Sequence, residues 1–270
     1  MRMKLRHIMK MAVVAVLLAA CQKDLDLKYH EIDALTVIEA ELTPEGIMAG
    51  ITLTTPMDMP MDRTRLTDAT VTLTDLASGA VYDLEPDSDG YFADSTPGIP
   101  GHDYRLTVVR DGIVYEAETR MYPPTEIISM EFNWINMPYD QVAVFQGQFL
   151  DDAATEGDCY WIKLYRNGKI YLWQEADDRG AVDGVGSFFT MTSRRDTDQE
   201  DEDEVLFDGD VVTFSVCRIS RAMHDYLEAL QNDSNGPAMF VGPRCLGYFL
   251  ATSPVSESIT FHPDEIPEYK

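Results

Sequence analysis

Four residues near the start of the chain have the types and order for one definite piece of chemistry. Leu18-Ala19-Ala20-Cys21 places small residues before a thiol. Small side chains fit a narrow peptidase cleft, and the Cys21 sulfur is a nucleophile that can take a diacylglyceryl group. What precedes them agrees. Residues 1–10 are basic and polar, and Met11 to Ala20 is an apolar run of ten. A membrane-spanning helix needs about 20 such residues, so this run reads as the core of a signal peptide. Residues 1–20 are therefore expected to be a lipoprotein signal, and Cys21 the acylated start of the mature chain. Each buried methylene of an acyl chain contributes about 0.8 kcal/mol, so a multiply acylated cysteine holds a protein on a membrane without any protein helix. The alternatives are an ordinary secretory peptide with a chance cysteine, or a short anchor helix.

Elsewhere the reactive residue types do not converge. The histidines are His7, His30, His102, His224 and His262, with no metal-pair spacing among them, and neither a Gly-x-Ser-x-Gly elbow nor a phosphate loop occurs. Gly184-Val185-Gly186-Ser187 reads as a short glycine turn. Glu85-Pro86-Asp87-Ser88-Asp89-Gly90 has the acids of a calcium loop, but its twelfth position is Thr96, so the bidentate carboxylate is missing and a hairpin turn is the better account. The densest charge is Asp196, Asp198, Glu200, Asp201, Glu202, Asp203 and Glu204, seven acids in nine residues. These must stay solvated, gather divalent cations or meet a basic partner. A solvated loop is the plainer reading and a cation loop the sharper one. Trp134, Trp161 and Trp173 suit either a sugar platform or ordinary packing on strands. Beyond Cys21, Cys159, Cys217 and Cys245 allow one disulfide at most, and three small buried thiols are the slightly favoured expectation. No catalytic residue, cofactor or metal ligand set is expected.

Composition narrows the partners. The 270 residues carry 47 acids and 21 bases, a formal net charge of −26. Such a chain repels a phosphate backbone, and no basic stripe compensates, so nucleic-acid binding is excluded. A hydrophobic content of 45% excludes general disorder.

The elements that must carry any site are mostly strands. Residues 21–33 read as a lipidated polar tether. In Leu35–Leu42, Ile38, Ala40 and Leu42 share one face, and in Ala69–Asp75 Val71 and Leu73 point one way with threonines opposite. His102–Val109 and Ile113–Thr119 form a hairpin across Asp111-Gly112, with Tyr104, Leu106 and Val108 inward and Val114 as a core partner. Pro123-Pro124 cannot donate ladder hydrogen bonds, and a boundary is placed there between a domain at 34–122 and a second at 123–270. In the second, Gln141–Phe149 alternates, with Val142 and Val144 on one side. Cys159–Arg166 and Lys169–Trp173 pair across Asn167-Gly168, and Val211–Ile219, Leu246–Ala251 and Ser258–Phe261 follow. One helix near 220–231 is capped by Ser220, with Met223, Tyr226, Leu227 and Leu230 on its packed side.

Two resemblances accompany these readings. Gln22-Lys23-Asp24-Leu25-Asp26 resembles the Gln-Lys-Asp-Asp-Glu export signal that follows the lipidated cysteine in Bacteroidota surface lipoproteins, departing from it at Leu25. On that likeness Gln22, Lys23, Asp24 and Asp26 are export-signal candidates and the chain is displayed on the outer face of the outer membrane. A solvated acidic tether would look similar. Four stretches are similar together to domain-of-unknown-function family 4249, a group of Bacteroidota surface lipoproteins. They are Val37–Leu42; Ala69–Thr74 with Asp87-Ser88-Asp89-Gly90-Tyr91-Phe92; Pro100-Gly101-His102-Asp103-Tyr104-Arg105-Leu106 through Tyr122-Pro123-Pro124; and Phe207-Asp208-Gly209-Asp210 with Met223–Leu230 and Leu246-Gly247-Tyr248-Phe249. The resemblance implies a mainly β protein: an N-terminal transthyretin-like or immunoglobulin-like β-sandwich, then a second β-rich domain with one packed helix. It also implies association with a TonB-dependent receptor and supplies no catalytic residue. Gly242-Pro243-Arg244-Cys245 departs from the glycine-rich turn typical there. The expected function is a non-enzymatic surface accessory to a TonB-dependent transporter. An independent ligand-binding or adhesin-like module is the alternative, and a hydrolase ranks last.

Overall fold

The computed structural model describes residues 33–55, 59–60, 64–138, 140–151, 157–193, 205–234 and 236–268. The elements below belong to one compact unit, Leu35–Thr54 with the described residues from 64 onward. The protein is mainly β, as expected, and is built from two sandwiches.

The first half supplies β1 (Thr36–Thr43), β2 (Gly46–Leu53), β3 (Thr70–Asp75), β4 (Val81–Pro86), β5 (Phe92–Asp94), β6 (Asp103–Arg110) and β7 (Ile113–Arg120). After it come β8 (Ile127–Asn136), β9 (Gln141–Leu150), β10 (Cys159–Arg166), β11 (Lys169–Asp177), β12 (Val185–Ser193), β13 (Val211–Ile219), α1 (Arg221–Gln231), β14 (Leu246–Ala251) and β15 (Val255–Thr260). Eight strands join in the order β14-β1-β2-β5-β4-β3-β6-β7. Inward side chains from all eight, among them Ile38, Ile51, Leu73, Phe92, Leu106 and Phe249, meet in one core, so the sheet is folded over on itself as a sandwich. Burial alternates along β1, with Ile38, Ala40 and Leu42 inside as read from the sequence.

The hairpin of β6 and β7 turns at Asp111 (φ 52°) and Gly112 (φ 74°), a left-handed pair that glycine and aspartate tolerate. This two-residue turn sets Val109 opposite Val114, so Val108 faces Tyr115 and Leu106 faces Ala117. Tyr115 and Ala117 are therefore the core partners, while Val114 is 44% exposed. Asp87–Gly90 is a hairpin turn too: the Asp87 carboxylate accepts from the backbone nitrogens of Asp89 and Tyr91, both at 2.9 Å.

The boundary prolines lie between β7 and β8, but the first sheet is not finished there. Strand β14 returns from near the C-terminus to pair in parallel with β1, Val37 opposite Leu246 through Leu42 opposite Ala251.

The second sandwich sets the sheet β11-β10-β13-β15 against β12-β9-β8. Aromatic rings fill it, with Phe145 5.2 Å from Phe132 and 5.8 Å from Phe214. Two glycines make that possible. A Cβ on Gly147 would lie 2.7 Å from the Phe214 ring, and one on Gly186 2.3 Å from that of Phe149. The inward face of β9 is accordingly Ala143, Phe145, Gly147 and Phe149; Val142 and Val144 share the other side, as read from the sequence, and Val142 is buried there too. Gly184-Val185-Gly186-Ser187 is likewise not an isolated turn, since β12 begins at Val185 and pairs with β9 along its length.

Helix α1 covers the outer face of β10 and β13. Met223 and Leu227 pack with Trp161, Cys217, Ile219 and Leu250, so the β10–β13 pair is buried on both faces. Leu230, expected on the packed side, is 49% exposed.

Candidate functional site

The richest grouping of functional side chains lies where α1 and β14 meet the outer face of β10 and β11. Ser220 starts the helix: its hydroxyl accepts from the Met223 nitrogen at 3.1 Å, satisfying one of the unpaired first-turn amides. The helix ends at Asn232, whose side-chain amide donates to the Glu228 carbonyl at 2.9 Å. This fixes the rotation of α1, with Met223 and Leu227 under it.

Beneath and beside it the aromatic residues form a seam. Trp161 stands edge-on to Trp173 at 6.2 Å and to Tyr248 at 6.1 Å, and Tyr226 lies 5.8 Å from Tyr248. The Lys163 ammonium sits 3.7 Å from the centre of a Trp161 ring and 3.8 Å from a Glu41 oxygen on β1. One side chain thus ties the second sandwich to the first. Burial pushes the Tyr248 hydroxyl well above its ordinary range, with Glu41 and Glu39 adding to it. Trp161 and Glu175 face each other across the β10–β11 register, and Trp161 Nε1 and Glu175 Oε2 are both buried without a hydrogen-bond partner. Trp134 belongs elsewhere: it packs in the second core and donates its Nε1 to the Pro263 carbonyl at 3.0 Å. The three tryptophans therefore form no single platform.

Two open clefts flank this seam. One of about 450 Å³ is walled by Tyr226, Leu230, Pro237, Met239, Arg244 and Gly247. The other, of about 380 Å³, lies between Arg105, Glu116 and Glu118 of the first sandwich and Ser220 and Ala222 at the helix start. Cys245 borders the first cleft. Cys159, Cys217 and Cys245 are all free thiols. Burial raises each of them, Cys159 to about 11, so they are protonated at neutral pH and lack thiolate reactivity.

The described histidines are tied to carboxylates. His102 Nδ1 lies 3.0 Å from Asp75. His262 Nδ1 lies 2.9 Å from Asp208, and that hydrogen bond raises the imidazole pKa. His224, on α1, is 7% exposed and lies 3.3 Å from Asp225, with Glu228 one helical turn on. One ligating atom from each of His224, Asp225 and Glu228 lies within 4.8 Å of the others. A search for paired histidines passes over this trio. The signal that finds it is helical spacing, which stacks residues i and i+4 on one face.

The lipidation candidate Cys21, the export-signal candidates Gln22, Lys23, Asp24 and Asp26, and the acidic candidates Asp196, Asp198, Glu200, Asp201, Glu202, Asp203 and Glu204 lie outside the described residues. Among the described residues no helix is long and apolar enough to cross a membrane.

No protein-family model matches the chain, and no curated protein matches it in sequence. Among solved structures it is similar to a two fibronectin type-III domain segment from chicken tenascin, at 10% identity and a TM-score of 0.23, over 85% of this chain and 100% of that one. It is also similar to the FN1-FN3 domains of chicken CNTN1, at 6% identity and a TM-score of 0.26, over 85% of this chain and 66% of that one. Neither likeness bears on what the chain does.

Proposed function

We propose that this chain is a non-enzymatic lipoprotein displayed on the outer membrane, where it serves as an accessory to a TonB-dependent transporter. The observation that carries the reading is Leu18-Ala19-Ala20-Cys21 directly after a basic and apolar leader, with Cys21 as the acylated residue. The likeness of Gln22-Lys23-Asp24-Leu25-Asp26 to a surface-export signal, and of four later stretches to domain-of-unknown-function family 4249, supports the location and the partner. The structure is compatible with it. The first strand begins at Thr36, soon after the tether, and of the two cleft carboxylates Glu118 is engaged by Arg105 at 2.6 Å.

The experiment is fractionation of cells carrying the native chain or Cys21→Ala, with mass spectrometry of the terminus. The native protein is expected in outer-membrane fractions with an acylated Cys21 and with a β-barrel receptor in mild-detergent pull-downs. Cys21→Ala is expected in the soluble fraction. An unmodified terminus or a cytosolic native protein overturns the anchor, and an anchored protein that purifies alone overturns the accessory role.

A further inference from the structure

We propose that the open cleft between α1 and the 236–247 segment binds a small amphipathic monocarboxylate, with Arg244 holding the carboxylate and an apolar wall holding the hydrocarbon body. The cleft measures about 450 Å³. Small-molecule sites span about 300–1,000 Å³ and are mostly apolar, with a few placed polar groups. Here Tyr226, Leu230, Pro237, Met239 and Leu246 supply the apolar wall. Leu230 and Leu246 are 49% and 41% exposed, so two large aliphatic side chains stand in water on a concave surface.

The charge at the cleft is the reverse of the molecule's. The chain carries 47 acids and a net charge of −26, yet among the described residues no acid lines the cleft and the charged side chain there is Arg244. Every other described arginine is engaged. Most pair with a carboxylate, as Arg105 does with Glu118 at 2.6 Å and Arg110 with Asp68 at 2.9 Å, and Arg65 donates to the Asp89 carbonyl at 3.1 Å. Arg244 has neither an ion pair nor a hydrogen bond among the described residues. Nor does it cap the helix. The Glu228 carbonyl accepts from the Asn232 side chain, and the Ala229 carbonyl accepts from the Ser234 nitrogen, both at 2.9 Å.

The turn that carries Arg244 is pinned on both sides. Val241 and Glu116 exchange backbone hydrogen bonds of 2.7 Å and 3.0 Å. Gly242 (φ 133°) lies so close to β7 that a Cβ would stand 2.5 Å from the Val114 carbonyl oxygen, and one on Gly247 would stand 1.9 Å from that of Ile38. The Tyr226 hydroxyl is hydrogen-bonded to the Gly247 backbone, which fixes that wall too. A ligand therefore has little besides the Arg244 side chain to order, and the entropic cost of binding is low.

These features select the ligand. A guanidinium meets a carboxylate through two parallel N–H···O bonds. One guanidinium balances one negative charge, whereas a phosphate dianion would leave a charge uncompensated in the field of an acidic molecule. A free amino acid is disfavoured as well, because no acid in the described lining meets its ammonium group. What fits is an apolar body ending in a single carboxylate, as in a medium-chain fatty acid. The site does not depend on the lipid anchor or on the transporter role.

The test uses the whole chain carrying Cys21→Ala, so that no acyl group competes for the cleft, and octanoate below its micelle concentration as the probe. Calorimetry is expected to show saturable binding at one site, weakened by added salt. Octanol should bind about tenfold more weakly or worse, and octylammonium should not compete. Arg244→Gln should weaken octanoate binding by about tenfold or more and leave octanol binding unchanged. Leu230→Glu, which puts an acid into the wall, should abolish octanoate binding with the circular dichroism of the native fold retained. Both positions are exposed, so neither variant disturbs the core. The absence of saturable heat at millimolar octanoate overturns the proposal, as does binding that ignores the head group or survives both substitutions.

Discussion

Asp75 ends β3 with its carboxylate nearly out of solvent, 4% exposed. Burial pushes its pKa up, but hydrogen bonds from the Ser78 hydroxyl at 2.6 Å, from His102, and from the backbone nitrogens of Ala77 and Ser78 together bring it below the ordinary carboxylate value. A folded-state pKa below the unfolded one means the stabilisation is present above the unfolded carboxylate pKa and fades as pH falls through the folded value. Asp75→Ala should therefore cost about 2 kcal/mol in urea unfolding at neutral pH. The cost should shrink in acid, where the native carboxylate is itself protonated; a cost that is constant with pH would contradict this account. Single residues were legible in sequence when their chemistry is local. The Asp87–Gly90 turn is read from adjacent letters, whereas Asp75 and His102 are joined only by the β3–β6 pairing that sets Asp75 opposite Tyr104. The trio on α1 sits between these cases, visible once the helix and its period are accepted.

At the level of elements, legibility followed the turns. Asn167 (φ 51°) and Gly168 (φ 78°) announce the β10–β11 hairpin, and the strands on either side fall where alternation puts them. Alternation on β9 places Val142 and Val144 on one face but does not say how the other face packs. Ala143 and Gly147 lie there because Phe145, Phe149 and Phe214 need the volume. The same crowding hides β12, whose Gly186 resembles a turn residue and is a gap for the Phe149 ring. The helix was readable from both its cap and its period. Ser220→Ala should lower stability by about 1 kcal/mol, and Ser220→Asp should restore most of it, as measured by chemical denaturation. Equal stability of Ser220→Ala and the native chain would mean that packing alone fixes α1.

At the scale of the molecule, the pairing of β1 with β14 carries no local signal, since nothing between Thr36 and Leu246 in sequence points from one to the other. It is nonetheless built tightly. Gly247 has φ +98°, and a Cβ there would lie 1.9 Å from the Ile38 carbonyl oxygen, so the close approach of the two backbones needs glycine. Residues 34–122 alone leave the β1 edge open and omit Phe249 and Ala251 from the first core. That fragment should show a broad, non-cooperative melt by circular dichroism and poor amide dispersion by NMR, where the full chain melts sharply. A sharp transition in the fragment would show that the seven earlier strands suffice. There is a consequence for biogenesis. A polypeptide emerging amino end first, from a ribosome or a translocation pore, cannot complete its leading half until its trailing quarter has arrived. Closure of the first sandwich therefore waits for residues 246–251, and in the interval an unclosed, aggregation-prone margin must be shielded by a chaperone or by speed.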